Sequence, residues 1–161
     1  MTKYVNKDLK VNFKNSIPIC YSYSRKRKIG ILGGSFNPAH VGHIHISNTA
    51  LINLGLDEIW WLVAPQNRLK SSLDMEHFDK RLSYARLITK NISYIKVLDL
   101  EQKNKLYATY KTVNFLNQRT RKVKFIWLMG SDILDNLNKW LYPNIIAQNI
   151  HIAVISRPGY V

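Results

Sequence analysis

The chain has 161 residues, 46% of them hydrophobic, which is enough for one globular domain with its own core and excludes a disordered chain. No apolar run approaches the ~20 residues of a membrane span, and the single cysteine cannot form an internal disulfide, which fits a cytoplasmic location. The formal net charge of +14 excludes an acidic protein and raises the question of an anionic partner.

Half of that charge lies at the amino terminus. Residues 1–28 carry eight Lys or Arg and one Asp, a local charge of +7. Nucleic-acid binding is one interpretation of such a segment. We favour a solvated extension, because the segment shows little periodicity, and we expect no nucleic-acid partner. The predicted organisation is therefore a basic extension over 1–26 and one domain over 27–161.

The first element of the domain is a short strand. The apolar run 28–32 is bounded by Gly33 and Gly34, which is typical of an inner strand that ends in a turn. Because glycine has no Cβ, this pair predicts a sharp turn that a ligand can approach closely. Helical spacing then continues to Gly55. A strand, a glycine turn and a helix start together favour a phosphate site.

Two histidines lie at the predicted helix start, where Asn37 is expected to cap and Pro38 to occupy the first turn. His40 and His43 are three residues apart, so both imidazoles can face one phosphate chain and donate hydrogen bonds to it. Zinc binding together with His45, or ordinary surface histidines, are the alternatives.

The string Gly33-Gly-Ser-Phe-Asn-Pro-Ala-His-Val-Gly-His43 resembles the signature of the HxGH nucleotidyltransferases, and is most similar to the bacterial nicotinate-nucleotide adenylyltransferase family. The resemblance implies transfer of AMP from ATP to nicotinate mononucleotide, giving deamido-NAD and pyrophosphate, with Mg²⁺ accompanying ATP. It implies that His40 and His43 are catalytic. The residues expected to bind ATP are Gly33, Gly34, Ser35, Phe36, His40, His43, Gly130 and Asp132; no metal-binding residue of the protein is expected.

A second apolar run, 57–64, completes a strand–helix–strand unit and therefore predicts a parallel sheet with a right-handed crossover. The polar stretch 66–74 follows at the carboxyl end of that strand, where Lys70 and Arg68 are candidate phosphate contacts. A Pro-x-x-x-x-Lys loop in the resembled family favours Lys70 as a mononucleotide contact. In the next predicted helix, 75–91, Arg81 matches the family, although a structural ion pair would explain it equally well.

The third predicted strand is 94–98, and a helix follows from Thr109 to residue 118. The resembled family has Tyr-Thr-x-Asp-Thr here, and its first threonine helps to bind the mononucleotide. This chain reads Ala-Thr-Tyr-Lys-Thr over 108–112, so the resemblance assigns that role to Thr109.

The strongest apolar run, 123–129, leads into Gly130-Ser-Asp132. With a strand order of 3-2-1-4-5, Gly130 and Asp132 would face the glycine pair across the crevice between the strand ends. Asp132 could accept hydrogen bonds from a ribose or cap a helix. Trp140 matches a family tryptophan near the nicotinate ring, or is a core residue.

A fifth strand is predicted over 149–156, which gives an α/β, Rossmann-like open parallel sheet with helices on both faces. Relatives in the resembled family continue through a Ser/Thr-rich segment with an arginine that closes on ATP, so this sequence is expected to transfer AMP slowly. The alternatives are an HxGH enzyme acting on nicotinamide mononucleotide or phosphopantetheine, and a non-catalytic nucleotide- or RNA-binding protein. The oligomeric state stays open.

Overall fold

The computed structural model describes residues 26–65, 75–120, 122–134 and 140–156, so residues 1–25 of the predicted extension 1–26, Arg68 and Lys70 lie outside the described residues. Five parallel strands form one sheet in the order β3-β2-β1-β4-β5, which confirms the predicted order. The strands are β1 (Arg27–Gly34), β2 (Glu58–Val63), β3 (Ile95–Leu98), β4 (Val123–Gly130) and β5 (His151–Ile155). The helices are α1 (Val41–Leu54), α2 (Phe78–Ile88), α3 (Leu100–Lys103), α4 (Thr109–Arg119) and α5 (Pro143–Asn149).

The inner strands each carry a continuous apolar run because both faces of the sheet are covered. All six residues of β2 are buried. Because successive side chains of a strand point to opposite faces of the sheet, its two tryptophans belong to different cores. Trp61 packs in the core under α1 and α2, and Trp60 packs in the core under α4 and α5. Helices therefore lie on both faces, as predicted. None of the described helices is long and apolar enough to cross a membrane.

The start of α1 differs from the prediction. The helix begins at Val41 with His40 as its N-cap, so Pro38 lies outside it and Asn37 does not cap it. The Asn37 side chain is used elsewhere: its Oδ1 accepts a hydrogen bond from the backbone N–H of Glu76, at 3.1 Å. The predicted end was correct, because Gly55 caps the helix with φ of 58°.

Two helices have no counterpart in the predictions, and one is shorter than expected. The additional helices are α3, which spans four residues, and α5, which starts with Pro143. The predicted helix 75–91 is α2, which spans Phe78–Ile88. Short segments of mixed polarity carry too few periodic positions to reveal themselves in the sequence.

The glycine pair is not a turn. Gly33 and Gly34 are the last residues of β1, paired with Leu62 and Val63, and among the described glycines only Gly55 has positive φ. A Cβ on Gly33 would lie 2.7 Å from Cζ2 of Trp127, so packing against the indole requires this glycine. The chain turns two residues later.

That turn is at Phe36, which is fully buried and has φ of 47°. A left-handed backbone at a residue other than glycine costs of order 1–3 kcal/mol and persists only where surrounding contacts hold it. The contacts that hold Phe36 belong to the candidate site.

We predict that Gly33→Ala lowers the free energy of unfolding by about 1–3 kcal/mol, because the new methyl group overlaps the Trp127 ring. Denaturant unfolding measures the effect. The control is the same substitution in a Trp127→Phe background, where the overlapping ring atoms are gone and the loss should largely disappear. An equal loss in both backgrounds would contradict this account of Gly33.

Candidate active site

The carboxyl ends of β1 and β4 lie side by side where the strand order reverses. Leu32 pairs with Leu128, so Gly34 and Gly130 stand two residues beyond the same pair. An open parallel sheet binds ligands at this reversal. The structure thus brings Gly33, Gly34 and Gly130 together at the carboxyl ends of two neighbouring strands, as the sequence predicted.

The imidazoles of His40 and His43 each accept a hydrogen bond from the backbone at the start of α1. Nδ1 of His40 accepts a hydrogen bond from the N–H of Gly42 at 3.1 Å, and Nδ1 of His43 accepts one from the N–H of His40 at 3.2 Å. The N–H of His43 donates to the carbonyl of His40 at 3.0 Å. The two rings lie with their centroids 4.0 Å apart. This reciprocal cap fixes both imidazoles at the helix terminus.

The cap also determines the tautomer of each ring. A nitrogen that accepts from a backbone N–H carries no proton, so a neutral imidazole in this position carries its proton on Nε2. Protonation of Nδ1 would replace each acceptor by a donor and break the cap. Both histidines are therefore built as Nε2–H donors at the positive end of a 14-residue helix.

The backbone N–H groups at the helix start are less available than the sequence suggested. Those of Gly42 and His43 are already bonded to His40. A helix terminus usually leaves such N–H groups without a partner in the helix, but here the side chain and the carbonyl of His40 bind them. The hydrogen-bonding chemistry offered to an anion at this end of α1 accordingly shifts toward the imidazole rings.

Two aromatic rings, those of Phe36 and Trp61, pack against the imidazole of His43. Phe36 lies 4.8 Å from the His43 ring and stacks on Trp61 at 4.9 Å with an interplanar angle of 17°. His43 also contacts Trp61, with ring centroids 5.8 Å apart. Since Phe36 and Trp61 are fully buried, they give the imidazole a fixed surface to rest on.

A hydrogen-bond chain ties the same helix turn to β2. Nε1 of Trp61 donates to Oγ of Ser47, and that hydroxyl donates to the carbonyl of His43, both at 2.8 Å. Ser47 is fully buried, so these bonds are shielded from water. Sequence reasoning missed both residues, because a serine on a helix and a tryptophan in a strand carry no signal of pairing across 14 positions.

The contacts of Arg81 differ from the ion pair that the sequence suggests. Among the described residues, its guanidinium bonds only to backbone carbonyls, among them that of Ser35 at 2.5 Å. The side chain is 3% exposed, and this burial lowers the pKa of Arg81 from its ordinary value. In the described part of the chain, the ion pair that could have explained Arg81 is not found.

The segments that carry Thr109 and Trp140 lie close together. Thr109 is the first residue of α4, and its neighbour Tyr110 meets the ring edge of Tyr142 at 5.0 Å. Trp140 is half-buried and packs edge-on against Trp127 of β4 at 6.2 Å. The two segments therefore meet beside β4, the strand that carries Trp127.

The turn after β4 carries two buried oxygen atoms. They are Oγ of Ser131 and Oδ1 of Asp132, in a 3₁₀ turn over residues 131–134. The Ser131 hydroxyl has no hydrogen-bond partner within the described residues, so it is a further candidate for ligand contact that sequence reasoning did not single out. Lys70, the predicted mononucleotide contact, falls in the range 66–74 outside the described residues.

The residues of the structure described here hold no group of three or more His, Cys, Asp or Glu side chains suited to a metal ion. His40 and His43 face each other as cap partners, which is a different arrangement from a shared metal site with His45. A neutral imidazole with its proton on Nε2 is a hydrogen-bond donor, and phosphate oxygens are acceptors.

A family model described as cytidylyltransferase-like matches residues 31–161, which include every strand of the sheet in whole or in part. The chain belongs to the cytidylyltransferase-like family. The matched range also contains both histidines and the turn after β4. Membership confirms the nucleotidyltransferase resemblance that the sequence around His40 and His43 carries.

Individual relatives agree with the family assignment. A protein of Parvibaculum lavamentivorans named probable nicotinate-nucleotide adenylyltransferase is 45% identical over 133 residues, covering 83% of this chain and 66% of its own length. One of the same name from Rhizobium meliloti is 40% identical over 131 residues, covering 81% and 69%. The chain thus spans about two thirds of the length of these relatives.

A solved structure supports the fold. The nicotinic acid mononucleotide adenylyltransferase of Plasmodium falciparum, complexed with NaAD, superposes with a TM-score of 0.68 at 20% identity. The match covers 84% of this chain and 77% of that one. At this identity the likeness establishes the shared fold and nothing finer.

A buried acid lies directly before the segment that carries Thr109. Glu101 is 7% exposed and accepts a hydrogen bond from Oγ1 of Thr112 at 2.8 Å. Burial raises the pKa of Glu101 from 4.5 to about 7, and the Thr112 bond opposes part of that rise. The bond joins α3 to the first turn of α4.

We predict that Glu101→Gln stabilises the protein at pH values above 7. A raised pKa in the folded state means that the unfolded chain binds fewer protons between 4.5 and about 7, so stability falls as pH rises through that window. The penalty at higher pH is at most about 3 kcal/mol. A neutral amide avoids it and can still accept from Thr112.

Thermal unfolding at pH values near 5 and near 8 measures this effect. The variant should gain more melting temperature at the higher pH, whereas Glu76→Gln, at an exposed position, should gain none. An identical pH dependence in wild type and Glu101→Gln would contradict the assignment of a buried, destabilised carboxylate.

Proposed function

We propose that this protein transfers AMP from ATP to nicotinate mononucleotide, giving deamido-NAD and pyrophosphate. The observation that supports the proposal is the reciprocal cap of His40 and His43, which gives two Nε2–H donors near the carboxyl ends of the strands, where open parallel sheets bind ligands. A cytoplasmic location goes with it, consistent with a chain that has one cysteine.

The reaction is a direct displacement at phosphorus. An oxygen of the mononucleotide 5′-phosphate attacks the α-phosphorus of ATP in line and forms the new P–O bond. The bond between the α-phosphorus and the bridging oxygen breaks, and its electron pair leaves with pyrophosphate. No protein nucleophile takes part, so catalysis consists of positioning and of stabilising charge.

The two imidazoles suit that task. Negative charge grows on the oxygens of the transferring phosphate, and fixed N–H donors beside them stabilise the transition state without reorganising. The Phe36 and Trp61 rings hold His43, and the bond from the N–H of Gly42 holds the imidazole of His40. The positive end of α1 adds to the same field.

The acceptor is proposed from the relatives, whose names specify nicotinate-nucleotide adenylyltransferase. Thr109, Trp140 and Lys70 are the residues proposed to bind the mononucleotide, and Ser35, Gly130 and Asp132 are proposed on the ATP side. The contact between Tyr110 and Tyr142 supports a joint role of Thr109 and Trp140, since it brings their segments together.

Mg²⁺ is proposed to enter as part of the Mg²⁺–ATP substrate. His40 and His43 offer N–H donors that suit phosphate oxygens and not a hard cation, and Asp132 is the one carboxylate among the residues proposed on the ATP side. The triphosphate itself would supply oxygen ligands to the ion. The protein residues would then contact the phosphate oxygens that the ion leaves available.

We predict that His40→Ala and His43→Ala each lower kcat by roughly 10²–10³-fold while KM for ATP changes much less, because the lost donor acts on charge that develops in the transition state. Steady-state pyrophosphate release with Mg²⁺–ATP and nicotinate mononucleotide measures both constants. His151→Ala, exposed on the edge strand β5, is the matched control. Near-normal turnover of both active-site variants would refute their assignment.

A panel of acceptors tests the substrate. Nicotinate mononucleotide, nicotinamide mononucleotide and phosphopantetheine are supplied separately with ATP, and the adenylylated products are separated chromatographically. The proposal requires nicotinate mononucleotide to give the highest kcat/KM. A higher value with either other acceptor would assign the chain to a different adenylyltransferase activity.

A further inference from the structure

Arg81 of α2 donates hydrogen bonds to the backbone of three separate parts of the chain beside the candidate site. Its Nη1 donates to the carbonyls of Ser35 at 2.5 Å and Ala64 at 2.9 Å, its Nη2 donates to Pro65 at 3.0 Å, and its Nε donates to Glu76 at 2.8 Å. One side chain therefore joins the turn after β1, the end of β2 and the residues before α2.

The arrangement needs a guanidinium. Four N–H groups in a rigid planar fork reach four backbone carbonyls that no lysine ammonium could satisfy together. Arg81 is 3% exposed, so water does not replace these bonds. Only one of the five N–H groups remains for anything else, which makes Arg81 a poor direct ligand for phosphate.

The carbonyl of Ser35 belongs to the peptide unit that enters Phe36. Phe36 has the left-handed backbone noted above, with φ of 47°, and its ring lies against His43 at 4.8 Å. Arg81 holds the backbone on one side of this residue, and the stack on Trp61 holds the ring on the other. A strained turn stays in place when its neighbours fix it in this way.

We propose that Arg81 is a positioning residue for adenylyl transfer: it locks the Ser35–Phe36 peptide so that the Phe36 ring supports the imidazole of His43. The inference rests on the proposed function and adds to it a residue that touches neither substrate. The physical path is continuous, from guanidinium to carbonyl, to a strained turn, to an aromatic ring, to the imidazole.

The test compares Arg81→Lys with Arg86→Lys, an exposed arginine on the same helix. Arg81→Lys should lower kcat at least about tenfold with little change in KM for ATP, because misplacement of a catalytic donor weakens the transition state more than the ground state. Arg86→Lys should match wild type. Normal kcat in folded Arg81→Lys would overturn the proposal, as would a rise in KM alone, which would indicate direct phosphate binding.

A double-mutant cycle with Phe36→Leu tests the path itself. If Arg81 acts through Phe36, the kcat loss in Arg81→Lys/Phe36→Leu should be well below the product of the two single losses. Multiplicative losses would show that the two residues act independently and would overturn the proposal. If Arg81→Lys folds poorly, Phe36→Leu alone still tests the path. An undiminished kcat in Phe36→Leu would show that the Phe36 ring is not needed to support His43 and would overturn the proposal.

Hydrogen exchange separates this inference from the proposed function. The backbone amides of residues 35–43 should exchange faster in Arg81→Lys than in Arg86→Lys, whether or not the chain transfers AMP. An inactive wild type with this exchange difference would defeat the proposed function and leave the positioning contact standing. Equal exchange in the two variants would overturn the positioning role even in an active enzyme.

Discussion

The site depends on two hydrogen bonds between a pair of histidines and the backbone at the start of one helix. Each bond satisfies an N–H group that the helix start leaves over, and each fixes the proton of an imidazole on its outer nitrogen. Structure and chemistry thus share the same atoms. A residue that caps α1 without an imidazole, such as serine, would preserve the helix and remove the donor.

The architecture could be predicted because its signals are long and redundant. Continuous apolar runs gave the inner strands, and the alternation of helix and strand patterns required a parallel sheet. The two-faced burial of Trp60 and Trp61 follows from the two-residue period of β2. The placement of His40 and His43 at the strand end follows from the same pattern.

The errors and omissions concern atoms whose partners are distant in sequence. Gly33 was expected to form a turn, but the reason for a glycine is the Trp127 ring, 94 positions later. Asn37 was expected to cap a helix, but its oxygen binds the backbone of Glu76. The partners of Arg81 cannot be found from residue types, because they are backbone carbonyls and every residue has one. Motif spacing suggested candidate ligand contacts such as His40 and His43, whereas tertiary contacts decide what holds those side chains in place.

The most direct test of the account is the protonation state of the two imidazoles, which side-chain ¹⁵N–¹H NMR reports separately for each ring nitrogen. Spectra of the full chain, assigned with His40→Gln and His43→Gln, should show both residues as Nε2–H tautomers at mildly basic pH, with Nδ1 unprotonated. An Nδ1–H tautomer at either residue would contradict the reciprocal cap and, with it, the proposed presentation of two fixed donors to the transferring phosphate.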